Sequence, residues 1–172
     1  QYLVTLTNGG SATAYDLNIV DTLPIELGLS GDYTPTATIN TVPVAGFVGV
    51  PAGAPNGPLV WGRENGDLSL DLPAGAFLEL TYRVTVLAPP TDATGIANRV
   101  YTDWTSLQGA NTYERTGAGC PTITPPNDYC FGPAIAIGDG TPAPPPEALA
   151  KTNTQPTAAV GEVFRYRVRV PS

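Results

Sequence analysis

The feature that most constrains this chain is an alternation of period two, broken at short intervals by glycine and proline. Tyr2, Val4 and Leu6 alternate with Leu3, Thr5 and Thr7, the pattern of a strand with one face buried. Asn8-Gly9-Gly10 interrupts it with residues that tolerate positive φ, and Tyr15, Leu17, Ile19 and Asp21 resume it until Leu23-Pro24. Proline lacks the backbone donor a ladder needs, so the run ends there. This opening reads as two strands joined by a tight turn.

The rest of the chain repeats the scheme. Residues 25–32 read as a loop, 36–44 as a third strand, and 44–58 as a glycine- and proline-rich excursion across one end. Leu59-Val60-Trp61 is a short apolar strand. Leu68, Leu70 and Leu72 are expected on one face, with Asp67, Ser69 and Asp71 facing water. After a turn at residues 73–76, residues 77–87 form one continuous strand whose Leu78, Leu80, Tyr82, Val84 and Val86 line the core. Residues 96–105 are the next strand, 105–130 a long decorated loop, and 134–137 a brief last strand. No apolar run has a helical period. Strands at this spacing, with turns between them, predict an all-β, immunoglobulin-like antiparallel sandwich.

The opening pattern recurs near the end of the sequence. Tyr166, Val168 and Val170 fall in the register of Tyr2, Val4 and Leu6, so the chain reads as one period of a tandem array, cut inside a strand. Residues 1–140 are then a sandwich module whose first strand is missing or supplied by a neighbour. Residues 141–146, TPAPPP, are a stiff linker. Residues 147–172 are the first strands of the next repeat, or a donor strand for another subunit through Val163, Phe164, Tyr166, Val168 and Val170.

The pattern V-G-x-x-x-x-Y-x-V-x-V, followed by T-N-x-G and V-x-D-x-L-P, resembles the conserved-repeat β-sandwich modules called "domain of unknown function eleven", which recur in large bacterial and archaeal surface proteins. Pro73-Ala74-Gly75, Asn98-Arg99-Val100, Trp104-Thr105-Ser106-Leu107 and Glu114-Arg115-Thr116-Gly117 extend the match over most of the chain. The resemblance implies an extracellular building block: a structural repeat of a filament, adhesin stalk or surface layer whose partners are similar neighbouring modules. A related resemblance, to the isopeptide-forming fimbrial sandwiches, implies a lysine on the first strand, an asparagine on the last and a buried acid between them. Here the matching positions are Lys151, the only lysine, serving the copy that follows, with Asn98 and Asp21. Apolar surroundings would lower the amine's pKa and raise the acid's, as that chemistry requires. The competing reading makes Asp21 a turn cap, Asn98 a backbone partner and Lys151 a solvated charge.

Composition limits the alternatives. A net charge of −7 with eight basic residues leaves no footprint for nucleic acid, and no apolar run is long enough to span a membrane. With no histidine, a Ser-His-Asp or Cys-His arrangement cannot be built, and no phosphate-cradling glycine motif is present. An enzyme is not expected, nor a cofactor apart from calcium. Cys120 and Cys130 bracket a proline-rich loop; the economical reading is one disulfide made in an oxidising, extracellular compartment, and the alternative is two buried thiols. Asp103, Glu114, Asn127 and Asp128 are weak calcium candidates, since no D-x-D-x-D spacing accompanies them. Trp61 and Trp104 support a rival function, a carbohydrate- or ligand-binding module, if either ring is exposed in a groove.

Overall fold

Extended segments form where β-branched and aromatic residues alternate with polar ones, and they end where glycine, proline or asparagine intervenes. The computed structural model describes residues 1–88, 98–118, 120 and 128–131, and the backbone of 150–153 and 166–169. Along the chain the strands are β1 (Tyr2–Thr7), β2 (Tyr15–Thr22), β3 (Leu27–Leu29), β4 (Thr36–Ile39), β5 (Val42–Pro43), β6 (Leu59–Gly62), β7 (Phe77–Tyr82), β8 (Val84–Val86), β9 (Arg99–Thr105), β10 (Cys130–Phe131), β11 (Ala150–Asn153) and β12 (Tyr166–Arg169). Among the described residues the only helical piece is a single 3₁₀ turn at Arg63–Asn65.

The strands pair antiparallel into two four-stranded sheets, ordered β1-β7-β4-β5 and β10-β9-β2-β6, with a β3–β8 ribbon and the β11–β12 pair beside them in the chain. The protein is an all-β antiparallel sandwich, compatible with the immunoglobulin-like class. Val4, Ala37, Leu78, Leu80 and Tyr82 from the first sheet and Leu17, Ile19, Leu59 and Trp61 from the second form one buried cluster, joined by Leu70 and Leu72. Each such side chain contributes roughly 1.5–3 kcal/mol by leaving water.

Four details differ from the sequence reading. β1 and β2 are not a hairpin: they belong to opposite sheets, and the Asn8–Gly10 turn begins a crossover. Asn8 holds that crossover, exchanging backbone hydrogen bonds with Gly75 and Ala76 while its side-chain amide donates to the carbonyls of Ala12 and Leu72. Residues 36–44 are a hairpin rather than one strand, because Asn40 and Thr41 take φ of 49° and 68° and reverse the chain.

Residues 77–87 break at Arg83. Strand β8 leaves the sheet of β7 to pair with β3, a strand where a loop is expected, and Val86 is 63% exposed. The Arg83 guanidinium lies 4.7 Å from the Tyr33 ring centroid and the Arg83 carbonyl accepts from Ser30 N–H, which holds the break in place. Finally, residues 67–72 form no strand. Leu68 is 56% exposed while Asp67 is buried, its carboxylate accepting from the N–H groups of Val48 and Ser69.

Asp67 is thereby one of the ties that order the 44–58 excursion. Trp61 Nε1 donates to the Gly49 carbonyl at 2.9 Å, and the Asn65 amide to the Val50 carbonyl at 2.9 Å. The Cys120–Cys130 disulfide is formed, with the Cα atoms 5.9 Å apart, within the usual range for such a bond. The last strand at 134–137, the linker at 141–146, and Val163, Phe164 and Val170 lie outside the described residues.

Candidate functional site

Two features stand out: a buried acid inside the sandwich and an open groove on its flank. The acid is Asp21, near the end of β2, a strand flanked by β6 and β9 along its two edges and buried from Asp16 to Asp21. Alternation from Leu17 and Ile19 carries Asp21 onto the inward side, where it is wholly buried. The Tyr82 hydroxyl donates to Asp21 Oδ2. The Tyr82 ring is packed between Trp61, at 5.0 Å between centroids, and Tyr2, at 5.4 Å.

Asn98, 1% exposed, completes the cluster. Its Oδ1 accepts from Arg99 N–H at 2.9 Å, and its amide faces both the Asp21 carboxyl and the Tyr82 hydroxyl. Burial raises the Asp21 pKa above the ordinary carboxylate value, and the hydrogen bonds from Tyr82 and Asn98 offset only part of this. The same burial, with the Asp21 charge next to it, raises the Tyr82 phenol and, more weakly, that of Tyr2. Asp21 Oδ1 has no hydrogen-bond partner among the described residues, an arrangement that is costly for a charged carboxylate.

The structure therefore brings together two of the three residues singled out by sequence, Asp21 and Asn98, and adds Tyr82, Tyr2 and Trp61. Lys151 belongs to β11, whose only ladder among the described residues is with β12, at the position opposite Val168. Tyr82 was legible only as an inward residue of its strand. That its hydroxyl meets Asp21 depends on how the two sheets face each other.

A second polar group is structural. Asp103 is ion-paired to Arg63 at 2.8 Å and accepts from the Asn18 amide at 3.1 Å, while Asn18 Oδ1 takes the Glu64 N–H at 2.8 Å. Burial raises the Asp103 pKa, and the Arg63 charge opposes the rise. Of the calcium candidates, Asp103 is thus committed to Arg63, Glu114 is partly buried, Asp128 is exposed, and Asn127 lies outside the described residues. Among the described residues no three His, Cys, Asp or Glu side chains gather as metal ligands would.

The groove lies at the Thr5–Thr7 end of β1, where the crossover 8–14 leaves it for the other sheet, and the crossover forms much of its wall. Leu6 of β1, Trp104 of β9 and Phe131 of β10 line its sides and Leu17 and Leu72 its base, enclosing about 450 Å³. Trp104 packs edge-on against the Tyr129 ring at 6.0 Å. Trp61, by contrast, is sealed in the core and presents no surface to a ligand. No family model, no curated protein and no solved structure matches the chain.

Proposed function

We propose that the chain is a structural repeat of an extracellular filament, adhesin stalk or surface layer, joined to like modules by tandem continuity or by strand complementation. One observation supports this above others: β12 is a strand at Tyr166–Arg169, at positions that repeat Tyr2–Thr5 of β1 in sequence. Tyr166 and Val168 repeat Tyr2 and Val4 at the same spacing, the kind of recurrence found along tandem arrays of one module. The disulfide accords with an oxidising compartment. No helix among the described residues is long and apolar enough to cross a membrane.

On this reading the role is mechanical rather than catalytic on a foreign substrate, and no cofactor is needed. The Asp21–Asn98 pair fits the covalent staple implied by the isopeptide-forming sandwiches. A first-strand lysine amine attacks the Asn98 side-chain carbonyl, the C–N bond of the amide breaks, and ammonia leaves with the displaced proton, Asp21 serving as proton carrier. Lys151 would supply that amine to the module that follows. Denaturing electrophoresis of material from the native surface, followed by intact mass, tests the proposal. Multi-module chains, or an assembly that dissociates into repeat-sized chains, agree with it, and loss of one ammonia per module marks the staple. A lone module that never associates speaks against the whole reading.

The groove favours one rival, a carbohydrate-binding module using Trp104 with Tyr129 and Phe131. Glycan-array binding that is lost in Trp104→Ala would establish it.

A further inference from the structure

Strand β1 is the outermost strand of its sheet, paired on one edge to β7; among the described residues its other edge is unpaired. Unpaired edges recruit strands unless something blocks them. The groove lies at the Thr5–Thr7 end of this strand, bounded by the crossover 8–14 and by Trp104 and Phe131 of β9 and β10 in the other sheet. Among the described residues this flank therefore has room for one more strand.

What belongs there is indicated by the pairing of β11 with β12. In that ladder Ala150 faces Arg169, Lys151 faces Val168, Thr152 faces Arg167 and Asn153 faces Tyr166. Since Tyr166 and Val168 correspond in sequence to Tyr2 and Val4, the same ladder transfers onto β1 residue for residue. Asn153 then lies opposite Tyr2, Lys151 opposite Val4, Ala150 opposite Thr5 and, by continuation, Leu149 opposite Leu6. Residues directly opposite in an antiparallel pair share a face. In that register position 149 would fall opposite Leu6, which lines the groove, and positions 148 and 150 opposite the exposed Thr7 and Thr5.

We infer that the free edge of β1 and its groove receive segment 147–153 of a second copy of this chain, in the register of the β11–β12 ladder. The inference rests on the structural-repeat reading and specifies its joint. It makes β11 the donor and β12 the stand-in that β1 of the next copy replaces. Exchange of β12 for β1 keeps the backbone hydrogen bonds of one ladder and adds burial of the groove, so assembly is favoured over the closed pair. It also brings a lysine position to the core side at the Tyr2 end of β1, the end where Tyr82 and Asp21 lie.

The register supplies the test. Full-length chains carrying Thr5→Cys are mixed with chains carrying Ala150→Cys under mild oxidation, with Ala148→Cys as the out-of-register partner. The expected result is a disulfide-linked dimer of the Thr5→Cys and Ala150→Cys chains, and at least a severalfold lower yield with Ala148→Cys. In a parallel sedimentation series, Leu149→Asp is expected to weaken self-association on the order of tenfold or more, the equivalent of losing a buried leucine. Circular dichroism and a thermal melt of Leu149→Asp, matched to the parent chain, establish that the variant is folded before its association is compared. Equal yields from the two cysteine partners, or association indifferent to Leu149→Asp, overturn the inference while leaving a repeat joined in another way. Chains monomeric throughout, with no cross-link, overturn the inference itself; the wider reading is then decided by the native material.

Discussion

At the scale of single residues, Asp21 couples protonation to folding. The folded state holds its proton more tightly than an unfolded chain does, so protonation favours folding. That contribution is complete below the ordinary carboxylate value of 3.8 and is withdrawn as pH rises through the raised folded value. Asp71 and Asp103 are raised by burial and share the sign. Thermal unfolding followed between pH 7 and pH 4 is therefore expected to show a midpoint that climbs on acidification. In Asp21→Asn the climb should be shallower and the neutral-pH midpoint at least as high, because the amide still accepts from Tyr82. A variant less stable at every pH would mean that Asp21 is held as a paired charge.

Gly62 is a second sensitive residue. It has φ of 107°, and a Cβ there would overlap the Leu17 carbonyl of the neighbouring strand. Gly62→Ala should cost about 1–3 kcal/mol in backbone strain alone, measured by urea unfolding. An unchanged midpoint would contradict the close approach of β6 to β2.

At the scale of elements, the core sheet and its staple make separate predictions. Leu80 of β7 lies between β1 and β4, across from Val4 and Ala37, and is fully buried. Leu80→Ala should lose about 2–5 kcal/mol, whereas Leu68→Ala, on an exposed residue of similar pattern, should change stability by less than about 0.5 kcal/mol. Paired denaturant titrations check the contrast. The disulfide closes a loop of sequence separation 10 on the β9–β10 side. Its removal in the Cys120→Ser, Cys130→Ser double variant should cost roughly 2–3 kcal/mol, chiefly by freeing the unfolded chain. A much smaller loss would show that β10 is held by its ladder to β9 alone.

Legibility divides at this same scale. Period-two runs located β1, β2 and β7, because alternation is a local consequence of having one wet face, and a short apolar run located β6. Partnership was not legible: a turn at Asn8–Gly10 looks the same whether it closes a hairpin or starts a crossover between sheets. The continuous alternation through residues 77–87 likewise concealed the break at Arg83, which depends on Tyr33 and on β3, far away in sequence. Leu68 and Asp67 inverted their expected sides because the segment is not a strand, so a period of two does not apply. Asp21 and Asn98 came from resemblance, while Tyr82 as their partner and the groove beside β1 arise only when the sheets are stacked.

At the scale of the whole molecule, the sandwich has an inward acid cluster at the Tyr2 end of β1, an apolar groove at its Thr7 end and, among the described residues, an unpaired edge along that strand. These are accounted for if each module is completed by a strand of the β11 kind from a neighbour. The measurement that tests this most directly is the mass of the protein as released from its native source without denaturant, by sedimentation or light scattering. The account expects particles of many modules, whether one long chain or many short ones. A particle with the mass of a single module, unchanged on concentration, would contradict it.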